Sequence, residues 1–202
     1  MKVVIVGASG KIGREIDRAL SSDNEIVRVG ATSGDYQCDF TRDESVVEMF
    51  KAVGAYDHLV AVVGADSQFK KFDELDDDDY RYGFERKFLG QVRLATHGQA
   101  TIADNGSITL TSGFLKDYPN PFSIATGPLN AAVDTYVKNI APLMTRGIRI
   151  NVVSPAPVVD PGREGEGRVT AARCAEYYAD AINGDMSGKV LKAWGGLPAI
   201  GD

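Results

Sequence analysis

Gly7, Gly10 and Gly13 stand at three-residue spacing directly after the apolar run Val3-Val4-Ile5-Val6. A glycine turn of this kind lets backbone N–H groups approach a pyrophosphate, and a helix starting there turns the positive end of its dipole toward the same anion. Glycine is required because a Cβ would obstruct the turn, the phosphate or the helix–strand contact. Ser9, Lys11 and Ile12 fill the positions between. A second group of reactive types comes later in the chain. Thr111 and Ser112 end the run Ser107–Ser112, and Lys87 lies between Phe84 and Phe88. A strand-end hydroxyl suits a hydrogen bond to a carbonyl oxygen, although such hydroxyls also cap turns. A lysine whose pKa falls on partial burial can act as an acid near neutrality. The same lysine on a solvated helix face would do no chemistry. His58 and His97 are far apart, so no metal site is expected.

The elements that must position these residues alternate between strand and helix, the pattern of a parallel sheet covered on both faces. Ile12, Ile16, Ala19 and Leu20 recur at helical spacing after the turn, and Ile26–Val29 reads as the second strand. Thr41-Arg42-Asp43-Glu44 has the form of a capping box opening a helix toward Gly54. Residues 57–64 (DHLVAVVG) read as a strand and its turn. The acidic run Asp76–Asp79 reads as the solvated start of a long helix, with carboxylates favoured by the helix dipole. That helix is expected to run through Phe84, Phe88, Val92 and Ala95 to about Asp104-Asn105-Gly106. Residues 107–112 form the next strand, and a helix from about Pro128 to Thr145 is bent or ended early by Pro142. Residues 148–153 are a strand, 170–183 a helix and 189–194 the last strand.

With 202 residues and no repeat or low-complexity linker, the whole of 1–202 reads as a single domain. The net charge of −6 and the lack of a basic cluster argue against nucleic-acid or membrane-surface partners. Cys38 and Cys174, the only cysteines, suit a reducing cytoplasm rather than a disulfide framework. No apolar stretch approaches the length of a membrane span, and the short apolar start is better used as a strand than as a signal peptide.

Together, GASGKIG at 7–13, Asp39 after the second strand, DHLVAVVG at 57–64, GSITLTSG at 106–113, RGIRINVVSP at 146–155 and the late Gly195-Gly196 pair resemble the short-chain dehydrogenase/reductase family over nearly the whole chain. The resemblance implies a three-layer α/β Rossmann-type fold, doubly wound around about seven parallel strands. It implies a nicotinamide dinucleotide across the strand carboxyl ends and a homo-dimer or homo-tetramer built through the two long helices. Carried over residue by residue, Gly7, Ser9, Gly10, Ile12 and Gly13 hold the pyrophosphate, and Asp39 and Phe40 flank the adenine. Gly64 lies by the adenosine ribose, with Pro155 and Val158 beside the nicotinamide. An NAD enzyme places a carboxylate at the end of the second strand. Here Gly30-Ala31-Thr32-Ser33 carries none. Hydroxyls at Thr32 and Ser33, with Lys11 and Arg28 nearby, favour NADP(H) over NAD(H), unless the two hydroxyls only cap a turn.

The chain also departs from the family. The proton-transfer pair Tyr-x-x-x-Lys is matched by Phe122 and Thr126, and none of the eight tyrosines has lysine four positions later. Ala61-Val62-Val63-Gly64 replaces the family's Asn-Asn-Ala-Gly, and Lys87 stands where the central helix normally carries asparagine. This combination is similar to a small subgroup of the family that lacks the usual catalytic residues. Two replacements can be drawn. Lys87 supplies the cationic role with Ser112 holding the substrate oxygen, or Tyr118 swings toward Ser112 from its proline-flanked loop. Thr111 competes with Ser112 for the oxygen. Between the sixth strand and the next helix, residues 157–168 are expected to form a short mobile loop over an open cleft, with Arg163 and Arg168 either solvated or closing on an anion. The reading is an NADP(H)-binding oxidoreductase of a small carbonyl or alcohol. A non-catalytic dinucleotide sensor or partner protein is the alternative, and an empty-cleft scaffold a third.

Overall fold

The computed structural model describes residues 1–64 and 68–198. In chain order the elements are β1 (Lys2–Val6), α1 (Lys11–Leu20), β2 (Glu25–Gly30), β3 (Tyr36–Gln37), α2 (Asp43–Val53) and β4 (Tyr56–Ala61). Then come α3 (Asp77–Gly83), a π turn (Phe84–Leu89), α4 (Gly90–Gly98), β5 (Ile102–Thr111) and α5 (Gly127–Ile140). The chain continues through β6 (Arg149–Pro155), β7 (Val158–Val159), β8 (Val169–Thr170), α6 (Ala171–Asn183) and β9 (Val190–Ala193). Seven strands form one sheet in the order β3-β2-β1-β4-β5-β6-β9, and every neighbouring pair is parallel.

Period-two alternation explains why the sheet is covered twice. Val4 and Val6 enter the core shared with Phe50 of α2, Leu94 of α4 and Val133 of α5. Val3 and Ile5 enter the opposite core with Ile16 of α1 and Tyr178 of α6. Strand order reverses between β1 and β4, which leaves a crevice at their carboxyl ends.

Several sequence expectations are corrected. The central helix stops at Gly98, and β5 begins at Ile102 instead of Ser107. Tyr56 pairs with Ile102 but His58 with Ser107, so β5 bulges at the residues assigned to a helix end. Asn105 adopts φ 62° there. A Cβ on Gly106 would lie 2.4 Å from the Asp57 carbonyl oxygen, so this register admits glycine alone. The capping box at Thr41 does not form: the Thr41 hydroxyl donates instead to Asp39 Oδ1 (2.6 Å), and Arg42 precedes α2 without a side-chain cap. The acidic run opens α3 as expected, with Asp76 accepting from Asp79 N (2.9 Å), but Asp79 is buried and held by Lys70 Nζ (2.7 Å) rather than solvated. The two-residue strand β3 carries too short a pattern to be read from sequence. Residues 157–168 are held by a small parallel sheet of β7 and β8 rather than forming a free loop. Arg163 and Arg168 are exposed on it. No helix among the described residues is long and apolar enough to cross a membrane.

Gly106→Ala is expected to cost about 1–3 kcal/mol by overpacking against backbone, read from urea denaturation. Burial pushes the Cys174 thiol up to about 12 and raises Cys38 as well. Neither thiol should react with an aromatic disulfide reagent at about pH 8 until the chain unfolds.

Candidate functional site

The site begins where β1 becomes α1. Gly7 has φ +93°, and a Cβ there would meet the Val62 carbonyl oxygen at 2.2 Å. A Cβ on Gly13 would meet the Gly7 carbonyl oxygen at 2.2 Å. These two glycines therefore let β1, α1 and the end of β4 touch backbone to backbone. Gly10 is different. It is exposed, its own Cβ would meet only the Gly7 oxygen at 3.3 Å, and it gives α1 no side-chain cap. The first-turn N–H groups of α1 consequently face outward beside exposed Ser9 and Lys11, as an anion site requires.

Beside this turn a cavity of about 440 Å³ opens over the strand carboxyl ends. It unites residues from distant parts of the chain: Ile12, Gly64, Lys87, Ser112, Pro155 and Val158, all singled out from sequence, line it together. Its walls are otherwise mainly apolar, with Val62, Val63, Phe69, Phe114 and Leu115 among them. Gly64 (φ +76°) is pressed against the π turn, where a Cβ would sit 2.8 Å from Lys87 Cα.

Lys87 lies in that π turn, an insertion often found at functional positions. It is 5% exposed, which removes the solvated-face reading. Its Nζ donates to the Ser112 carbonyl oxygen (2.9 Å) rather than to the hydroxyl. Gln91, which sequence reasoning missed, explains the alignment. Its buried amide donates to the carbonyl oxygens of Lys87 (2.8 Å) and Thr111 (2.8 Å) and accepts from Thr111 N (2.7 Å). The hydroxyls of Thr111 and Ser112 differ in their partners. Thr111 Oγ1 donates to the Ala61 carbonyl oxygen (2.6 Å) and pairs with the Tyr178 hydroxyl (2.7 Å). The buried Ser112 Oγ has no well-formed hydrogen bond, although it lies close enough to Asp134 to favour that carboxylate.

On the α5 side of the cavity, the two residues matched to the missing Tyr-x-x-x-Lys pair lie in different settings. Phe122 is 46% exposed in a turn before the helix and does not line the cavity. Thr126 and Asn130, four apart at the start of α5, do. Both are buried, with Thr126 Oγ1 and Asn130 Oδ1 unpartnered. One turn further, Asp134 receives Lys116 Nζ at 3.3 Å, and Lys116 also pairs with Asp117. Burial raises the Asp134 carboxyl above its ordinary value against the pull of Ser112 and Lys116. Burial also acts to lower Lys116, but Asp117 and Asp134 outweigh it and hold the ammonium above its usual range. Asn130, Asp134 and Lys116 carried no motif in the sequence. Tyr118 is removed from consideration, because its hydroxyl donates to the Pro198 carbonyl oxygen (2.6 Å) and its ring packs on Phe114 and Trp194.

At the other end of the crevice, Thr32 and Ser33 are exposed in the turn after β2. Arg28 is not available to them: its guanidinium is paired with Asp17 through Nε (2.7 Å) and Nη2 (2.8 Å), which raises its pKa. Asp35, the nearest acid after that turn, accepts from Arg28 N (2.8 Å). Asp39 is exposed, and its carboxyl is held below the usual range chiefly by the Thr41 hydroxyl. Phe40 lies under the Arg86 guanidinium, 5.5 Å from its ring centre, and packs against Gly90. Thr32, Ser33, Asp39 and Phe40 border no part of the cavity itself. Among the described residues no cluster of His, Cys, Asp and Glu is arranged to hold a metal ion.

A parallel sheet in this order, with a glycine turn at the reversal point and a cavity over the strand ends, defines a dinucleotide-binding domain of the oxidoreductase type. The chain belongs to the short-chain dehydrogenase/reductase family, and residues 3–180 match the family model described as enoyl-(acyl carrier protein) reductase. The protein lin1944 from Listeria innocua is 31% identical, with 96% of this chain and 100% of that one covered and a TM-score of 0.90. A small-chain dehydrogenase solved in complex with NADPH is 27% identical over 97% of both chains, with a TM-score of 0.88. A further small-chain dehydrogenase is 29% identical over 97% of both chains, with a TM-score of 0.87. None of the curated proteins matches the chain.

Gln91→Leu should strand the N–H and the carbonyl of Thr111 inside the protein. A loss of about 1–3 kcal/mol for each group is expected, measured by chemical denaturation and larger than that of an exposed control such as Gln99→Leu.

Proposed function

We propose that this protein is an NADP(H)-dependent oxidoreductase acting on a small carbonyl or alcohol. The observation that carries the reading is the convergence of Ile12, Gly64, Pro155 and Val158 with Lys87 and Ser112 on one cavity. The chain also fits the cofactor, since exposed Gly10 leaves the start of α1 open and a Cβ there would project from the turn with only the Gly7 oxygen near it. When bound, the dinucleotide supplies or accepts a hydride. The remaining work falls to the protein. Gly7, Ser9, Gly10, Lys11, Ile12 and Gly13 bind the pyrophosphate through the open end of α1. Pro155 and Val158 flank the nicotinamide, and Gly64 lies by the ribose. Asp39 and Phe40 border the adenine. Ser112 Oγ, buried and without a well-formed bond, holds the substrate oxygen. Lys87 clamps the Ser112 backbone and keeps positive charge near the oxygen as its negative charge grows. The apolar walls exclude water from that charge.

Preference for NADP(H) is supported by the turn after β2, where residues 30–33 carry no acid and Asp35 is engaged by the Arg28 backbone. Thr32 and Ser33 take the 2′-phosphate on this reading. Two copies pair through the central helix and α5, a pairing supported by partly exposed Tyr82 and Phe84 on that side.

Calorimetric titration tests the reading. Affinity for NADPH should exceed that for NADH tenfold or more, about 1.4 kcal/mol. Gly10→Ala should weaken NADPH binding while melting like the parent, because its Cβ meets little of the protein. With a panel of aldehydes and ketones, Ser112→Ala should slow NADPH consumption by about 10²-fold or more. Tight binding with no turnover would return the function to a dinucleotide sensor, and no binding would leave a scaffold.

A further inference from the structure

The cavity over the strand ends has one charged side chain among its described lining residues, Lys87, whose Nζ donates to the Ser112 carbonyl oxygen (2.9 Å). No carboxylate and no guanidinium stands with it among those residues. Much of the wall is apolar and comes from separate segments: Val62 and Val63 after β4, Phe114 and Leu115 after β5, and Val158 of β7. Phe69 belongs to the same wall but differs from a core residue, because it lines the cavity and is still 55% exposed. A ring so placed leaves water only when a second apolar body fills the space beside it. Its neighbour in sequence holds it there. Lys70 Nζ donates to both carboxylate oxygens of Asp79 (2.8 and 2.7 Å), and buried Asp79 in the first turn of α3 also accepts from Asp76 N (3.2 Å). The pair ties the segment carrying Phe69 to α3. Phe72, 73% exposed at the start of the 3-10 turn Phe72–Glu74, does not line the cavity.

We propose that the cavity takes an uncharged carbonyl compound bearing an aromatic or similarly bulky apolar group, and that Phe69 covers that group. Lys70 and Asp79 are its positioning residues. The proposal names the substrate class for the oxidoreductase reading above and rests on that reading. An aromatic substituent gains twice in such a site. Its own surface is removed from water by the valines, Phe114 and Leu115, and the exposed part of Phe69 is removed with it. Ring-on-ring packing in an offset or edge arrangement adds to this burial. A two-carbon aldehyde leaves Phe69 in water and gains neither. A carboxylate-bearing substrate of equal size loses hydration against apolar walls, and the one lining cation is already donating to a backbone carbonyl. Discrimination therefore comes from burial of the substituent and is the same in ground and transition states, so it acts on KM more than on kcat.

Binding is tested first without turnover. Acetophenone, which the oxidised cofactor cannot reduce, is titrated calorimetrically into protein saturated with NADP+. Phe69→Ala should weaken its binding about tenfold, and Phe69→Leu should recover part of the loss. Phe72→Ala, which removes a more exposed ring from the same segment, should bind like the parent. Lys70→Met should weaken binding by about threefold, with recovery in Lys70→Arg. A parent that takes up no acetophenone, or a Phe69→Ala variant that binds it as the parent does, overturns the proposal whatever the activity. The second readout is NADPH consumption with benzaldehyde, acetaldehyde and glyoxylate. The parent's kcat/KM for benzaldehyde should exceed that for glyoxylate by about 10²-fold. Phe69→Ala should lower the benzaldehyde-to-acetaldehyde ratio about tenfold through KM. A preference for glyoxylate overturns the substrate class and leaves the oxidoreductase reading standing. Acetophenone binding that depends on Phe69, with no NADPH consumed on any of the three aldehydes, overturns the reading on which the proposal rests.

Discussion

Everything in this molecule depends on a close backbone approach at the carboxyl end of β1. Gly7 is flush against the Val62 carbonyl, and Gly13 against Gly7 itself. The β-ladders continue through this point, with Gly7 N donating to Val29 O (2.8 Å) and Val62 N to Val6 O (2.8 Å). Any side chain at these two glycines would push α1 away from the sheet and close the crevice from which both the turn and the cavity are made. The constraint is steric and acts between backbones, so no rearrangement of side chains can relieve it.

A second constraint ties the cavity floor to the central helix. Gln91 satisfies both polar groups of Thr111 at the end of β5 and reaches the carbonyl of Lys87 one turn away. The bonds lie in a water-free interior, where an unmade one is costly. They place the π turn against β5, and Lys87 can then span to the Ser112 carbonyl. Lys87 is thus a structural clamp as well as a charge. The Ser112 backbone carbonyl, and not its side chain, answers the lysine.

Local pattern was enough to read most of the fold. The run Val3–Val6, the glycine turn and the strand at 107–112 are short-range signals, and each became the element expected of it. The failures came where a long-range contact overrode a local preference. The central helix stops at Gly98 because the chain must turn there to pair Ile102 with Tyr56. Thr41 caps nothing because Asp39 competes for its hydroxyl. Arg28 looked like a ligand cation and is taken by Asp17, eleven residues earlier on another element.

The sequence by itself determined the doubly wound parallel sheet, the turn that opens α1 and the membership of Gly64, Ser112, Pro155 and Val158 in one region. The sheet and the turn follow from hydrophobic period and glycine placement, which act over a few residues, whereas the grouping of Gly64, Pro155 and Val158 follows from the family resemblance. Only the tertiary structure decided which polar groups meet. It left Phe122 outside the cavity, brought Thr126 and Asn130 to its wall and buried Lys87. It also set Asp134 beside Lys116. Those juxtapositions depend on the rotation of α5 and of the π turn about their own axes. A rotation of this kind is set by packing against the sheet, and no local pattern of residues records it.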